Sequence, residues 1–219
     1  MAKTPAQRAK KHGDNASPGP GLPARAGAVG NPSTARTPER AKSNGNLIVI
    51  AGVAASAFFF WYFHLLTLNQ MTQLTDGLAM PDSMVFGFDA DYVATLKGLL
   101  NADGLGQLQY VHKTAGTLFP LIFGFSWLLL IGLNVASRKL RWTLWAAPVL
   151  FAVVQLVANV QIDAMLASPT TDAGQVAWTS ILVVASWALL VLSLIAAAIA
   201  MFGRRKKSKA AAAEAQPGA

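Results

Sequence analysis

Four long apolar runs interrupt an otherwise polar chain, at residues 47–66, 114–134, 142–162 and 176–201, and none contains Asp, Glu, Lys or Arg. Each has about 20 residues or more, enough to cross ~30 Å of hydrocarbon as a helix. The charges between the runs alternate in sign. Eight Lys and Arg precede the first run, Arg138, Lys139 and Arg141 fill the second connection, and Arg204, Arg205, Lys206, Lys207 and Lys209 follow the last. The first and third connections with their flanks hold only Lys97 and Lys113, against Asp76, Asp82, Asp89, Asp91, Asp103, Asp163 and Asp172. Sixteen of the eighteen basic residues therefore fall on one side, which by the positive-inside bias is the cytoplasm. The expectation is a multi-pass membrane protein with both termini in the cytoplasm.

Composition adds little to this and removes two classes. A net charge of +8 over 219 residues would suit a nucleic-acid binder, but the basic residues border the spans and serve orientation, so no nucleic-acid partner is expected. There is no cysteine, hence no disulfide and no thiolate chemistry. The lipid bilayer is the first partner. Gly52 with Ser56, and Ala51 with Ala55, lie four apart in the first run, a spacing of small residues that lets helices approach closely. That favours a protein partner in the membrane or a homo-oligomer.

Three regions follow. Residues 1–46, rich in Pro, Gly, Ala and basic residues, read as a disordered cytoplasmic tail that buries too little apolar surface to order itself. Residues 47–203 form the four-span domain, and 204–219 a second basic tail. Trp61, Tyr62 and His64 are expected at the outer interface, where amphipathic rings settle. The outer loop, 67–113, carries a turn at Met80-Pro81-Asp82-Ser83. Asp89 or Asp91 is expected to cap a short helix with Tyr92, Val93, Leu96, Leu99 and Leu100 on one face. Asp103 is expected to cap a second helix leading into span two, and Asp172 with Gln175 to open span four. The short helix would lid the bundle or lie on the membrane surface; Lys97 as its only positive charge favours the lid. Pro120 is expected to kink span two, whose His112, Gly116, Pro120 and Gly124 share one face.

Chemistry concentrates in a few places. Gln155, Asn159 and Asp163 recur every four residues on span three and should face the bundle interior, because polar side chains are costly against lipid. They either fix helix register through hydrogen bonds or line a ligand pocket. His64, His112 and Asp163 fall near the outer rim on three helices, a donor set that suits zinc or, for the two histidines, haem; ordinary interfacial roles are the alternative. Arg204, Arg205, Lys206, Lys207 and Lys209 could attract anionic lipid, though topology alone explains them. No nucleophile motif, phosphate-cradling loop or paired carboxylates appear, and the cofactor, if one exists, is unknown from the residues.

Three stretches carry a resemblance. Met84-Val85-Phe86-Gly87-Phe88 followed by Ala90-Asp91-Tyr92-Val93, then Leu118-Phe119-Pro120-Leu121-Ile122-Phe123-Gly124, and finally Ala177-Trp178-Thr179-Ser180-Ile181-Leu182 are similar to motifs of a group of uncharacterised bacterial membrane proteins with four transmembrane helices. The likeness covers about residues 70–200. It implies the same fold and a bacterial envelope, and supplies no activity. The chain departs from that group at Gly116, where an acidic residue is usual, and at Gln155 and Ala158, which replace an acidic pair ahead of Asn159.

The reading is an all-α, integral membrane four-helix bundle with a short helical outer loop. The expected function is non-enzymatic, an accessory or scaffold subunit of a bacterial membrane assembly. The alternatives are a small-molecule or lipid carrier using the Gln155–Asn159–Asp163 stripe, and a metal-dependent membrane enzyme built on His64, His112 and Asp163.

Overall fold

The computed structural model describes the backbone from Pro38 to Glu214 and side chains from Asn44 to Gly203. The chain divides into units 1–41 and 42–219; of the first only the helical backbone from Pro38 is described, and everything else below concerns the second. Of the expected tail 1–46, residues 1–37 lie outside the described residues, and the side chains of Arg204, Arg205, Lys206, Lys207 and Lys209 do too.

All regular structure among the described residues is helical. Helix α1 (Pro38–Phe60) passes into a π-helical stretch, Trp61–Thr67, and a short α2 (Leu68–Met71). Then come α3 (Ala90–Leu99), α4 (Ala102–Lys113), α5 (Ala115–Asn134), α6 (Arg138–Ala167) and α7 (Ala173–Glu214). Four stretches, Asn44–Thr75, Ala102–Asn134, Arg138–Ala167 and Ala173–Gly203, are long and apolar enough to cross a membrane. The protein is a four-helix, multi-pass membrane bundle.

Every span is longer than its apolar run. Hydropathy locates the stretch that needs lipid, whereas a helix continues as long as its polar residues find partners beyond the bilayer. The first helix begins at Pro38, inside the stretch expected to be tail, and helical turns continue to Thr75 rather than ending near Leu66. We call the end of the bundle at which Thr75 lies the lid end.

Helices α5, α6 and α7 make the tightest packing. The three-residue connection between α5 and α6 makes them antiparallel neighbours, and Gly124 and Gly132 of α5 lie at their contact. A side chain at Gly124 would stand 3.4 Å from Ala152 Cβ, and one at Gly132 3.5 Å from the Trp145 ring. The expected small face of span two is therefore real: His112, Gly116, Pro120 and Gly124 are all buried. On α1 it is the Gly52–Ser56 pair that turns inward, with Gly52 backed onto Ser126 of α5; Ala51 faces out. The side chains of Ser56 and Ser126 satisfy their own helices, bonding Gly52 O at 2.8 Å and Ile122 O at 2.6 Å. The contact is thus one of shape.

Span two is interrupted at Thr114. Thr114 has φ −107° and ψ −93°, between α4 and α5. The carbonyl of His112, released by the break, is taken by Thr117 Oγ1 at 2.8 Å. Helix α5 runs on through Pro120, whose missing N–H leaves the Gly116 carbonyl free. Asn159 Nδ2 of α6 donates to that carbonyl at 2.9 Å. A proline in a membrane helix is tolerated where a neighbour satisfies the freed group, and here the neighbour is identifiable.

Over the lid end lies α3. Asp89 caps it, accepting from Tyr92 N at 2.8 Å, and Val93 and Leu96 are buried beneath. Leu99, expected on the same face, is exposed because the helix ends there. Asn101, not Asp103, caps α4, accepting from Gly104 N at 2.8 Å; the helix starts at Ala102, so Asp103 already lies in its first turn. Asp172 opens α7 as expected, accepting from Gln175 N at 2.6 Å. Lys97 reaches across to the α6–α7 connection and donates to Ser168 O at 2.6 Å and Thr170 O at 3.0 Å. The lone cation of α3 thus neutralises carbonyls at the C-terminal end of α6, where the helix dipole favours positive charge.

Candidate functional site: a carboxylate–imidazole–carboxylate chain beneath the lid

Three segments distant in sequence meet at His112. Helix α4 delivers the imidazole, α6 delivers Asp163, and the short helical turn Pro81–Ser83 of the outer loop delivers Asp82. His112 Nδ1 lies 2.6 Å from Asp163 Oδ1, and Nε2 lies 3.2 Å from Asp82 Oδ2. Ionised carboxylates only accept, so this geometry suits an imidazolium that donates from both ring nitrogens. The His112 and Asp82 side chains are essentially inaccessible, whereas that of Asp163 retains 18% exposure. Asp163 is the partly exposed end of this chain of side chains.

Asp82 stays ionised although fully buried. Burial by itself would raise its pKa. The charge of His112 and the hydrogen bond from it outweigh that, with a smaller effect from His64, and hold the carboxyl below its ordinary 3.8. The loop is further secured through its backbone. Trp187 Nε1 of α7 donates to Asp82 O at 3.0 Å, and Ser180 Oγ accepts from Phe88 N at 2.9 Å. Gly87, at φ +87°, makes that second contact possible, since a Cβ there would stand 2.6 Å from Ser180 Oγ.

The histidine of span one behaves otherwise. The π-helical stretch turns both Phe63 and His64 inward. Thr67 Oγ1 covers a carbonyl loosened by the wider helix, bonding Tyr62 O at 2.8 Å. His64, expected at the interface, is buried among rings: Trp187 at 5.0 Å, Phe60 at 5.1 Å and Phe119 at 5.7 Å between centroids. Aromatic faces shield it better than headgroups do; Trp61 and Tyr62 remain outside. Its Nδ1 and the second carboxylate oxygen of Asp82, Oδ1, are both buried without a hydrogen-bond partner.

The expected polar stripe splits into two parts. Gln155 Nε2 donates to Asn159 Oδ1 at 3.0 Å, and Asn159 in turn holds the Gly116 carbonyl. These two residues fix helix register. Asp163, one turn further, belongs to the His112 chain. His112 and Asp163 thus meet as the metal reading requires, while His64 points into its aromatic surround. Among the described residues no group of three His, Asp or Glu side chains converges to hold a metal ion. Phe63 packs against both imidazoles, at 4.6 Å from His64 and 6.1 Å from His112, so the pair is not opposed across an open slot as haem ligation needs.

Asp82 and Trp187 escaped the sequence reading. The available signal was a lone acid, with proline before it, inside the otherwise weakly polar stretch Leu78-Ala79-Met80-Pro81-Asp82-Ser83-Met84-Val85. Comparison with known protein families, with curated proteins and with solved structures finds no match to this chain.

Proposed function

We propose that this is a non-enzymatic multi-pass protein of the bacterial cytoplasmic membrane, an accessory or scaffold subunit of a membrane assembly. Both termini would lie in the cytoplasm, and the chain would be a divergent member of the four-span group that it resembles. The observation carrying this reading is how the polar groups inside the bundle are used. The Asp82–His112–Asp163 chain ties the outer loop to spans two and three, and Gln155 with Asn159 ties span three to span two. Charge buried at such cost commonly specifies one arrangement of elements. The result is a rigid platform on one side of the membrane. Span one adds a second surface, turning Phe58, Trp61 and Leu65 outward.

Native mass spectrometry after mild extraction from the producing membrane is the test. A stoichiometric second protein is expected; a bare protomer in several mild detergents would count against the reading. The orientation is tested separately, because the chain lacks cysteine. A thiol placed by Ser208→Cys should react with an impermeant reagent only after the cells are opened.

The unpartnered Asp82 Oδ1 and His64 Nδ1 favour a second reading, a carrier of a small polar molecule that would satisfy both. A small adduct on the protomer, lost in Asp163→Ala while the variant still inserts, is its signature. Unchanged adduct binding would reject Asp163 as part of that site.

A further inference from the structure

Phe86 is the most exposed large apolar side chain described, at 99%, and it is not on a loose segment. The turn that carries it is closed by Met84 N to Pro81 O at 3.1 Å and Gly87 N to Met84 O at 2.9 Å. The bond from Phe88 N to Ser180 Oγ then fastens the turn to α7. Its neighbour Val85 is exposed as well. A phenylalanine held rigidly away from its own protein needs another apolar environment.

Its level along the bundle identifies that environment. About 20 helical residues cross the hydrocarbon. Counted from Trp142 on α6 and from Gly203 on α7, where the basic clusters begin, the boundary at the lid end falls near Ile162 and Val184. Gly87 sits on α7 beside Ser180 and Val184, a Cβ there lying 3.4 Å from Val184 Cγ2. The tip therefore stands at the edge of the hydrocarbon. Trp178 is exposed two residues beyond Ser180, the position of an aromatic belt.

We propose that the Val85–Phe86 tip is a membrane anchor, seated among the lipid headgroups and upper acyl chains at the lid end of the bundle. The lid is then held at two places, by Asp82 to the protein interior and by Phe86 to the lipid. Such an anchor resists tilting of the lid without adding a contact within the protein. It is distinct from a docking patch for a partner, at which a protein would shield the side chain from lipid as well as from water.

The absence of cysteine makes the test direct, since Phe86→Cys introduces the only thiol, at a side chain that packs against nothing. The full chain carrying a nitroxide at position 86 is reconstituted in vesicles of phosphatidylethanolamine and phosphatidylglycerol. Collision with oxygen, which concentrates in the bilayer, is compared with collision with a water-soluble nickel chelate. Ala94→Cys on the exposed face of α3 is the reference. The proposal expects oxygen to dominate several-fold at 86 and the chelate to dominate at 94. Dominance of the chelate at both overturns it. A label at 86 shielded from both reagents also overturns it and indicates a covering protein or second copy. The result is independent of whether mild extraction recovers a partner.

Discussion

Replacing Asn159 with leucine should cost more in this protein than an average membrane hydrogen bond, and the excess should depend on Pro120. The substitution nearly conserves volume but removes a donor and an acceptor. It strands the Gly116 carbonyl, which Pro120 cannot satisfy from within the helix, and the Nε2 of buried Gln155. Interhelical hydrogen bonds in membranes average about 0.6 kcal/mol by double-mutant cycles. A stranded buried group costs about 1–3 kcal/mol. Two such groups, with Gln155 able to relax in part, place the loss at about 2–3 kcal/mol. Pro120→Ala restores an N–H four residues beyond Gly116, so the carbonyl regains a partner without Asn159. In that background Asn159→Leu should cost about 1 kcal/mol less, the coupling energy expected of residues sharing one bonded group. The assay is unfolding in mixed micelles of rising dodecyl sulfate content, followed by far-ultraviolet circular dichroism for the four proteins of the cycle. Additivity to within about 0.3 kcal/mol would refute the claim that Asn159 compensates for Pro120.

Three other outcomes follow from the same geometry. His112→Gln leaves the buried Asp82 and the partly exposed Asp163 without the cation between them, so the outer loop should open; proteolysis within residues 76–100 should accelerate at least tenfold, and an unchanged rate would mean that the lid is held elsewhere. Because Asp82's folded pKa is depressed, its stabilisation is complete above the ordinary value of 3.8 and is lost as pH falls through the lower folded value; protection of the same segment against an acid-active protease should hold from neutrality to about pH 4 and decline below it, the decline being absent in Asp82→Asn. Gly87→Ala must adopt a positive φ and press on Ser180 Oγ, a cost of about 1–3 kcal/mol that should appear as a lowered Tm; Ser180→Ala should not rescue it fully, since the backbone strain remains.

Much of the architecture was legible along the chain because lipid imposes a one-dimensional rule. A segment without charge for about 20 residues has few fates other than a span, and loop charge then orders the spans. Asp89, Asp172 and the buried face of span two were readable for a similar reason, since caps and helical faces depend on residues within one or two turns. Helix ends were less so. The spans outgrow their apolar runs because Lys97, Asn101 and the outer turns find partners off the bilayer, which hydropathy does not register.

Convergence was decided only by the tertiary structure. Nothing local joins Asp82, His112 and Asp163, and the rotation of each helix that brings them together is set by packing, at Gly52 on Ser126 and Gly124 on Ala152. His64 shows the opposite outcome: at the same level on its helix as an interfacial histidine would be, it is turned by the π-helical stretch into a ring of aromatics. Charge and hydropathy are sums over residues and survive projection onto a line. Which polar atom finds which partner depends on angles between helices, and those exist only once the bundle has packed.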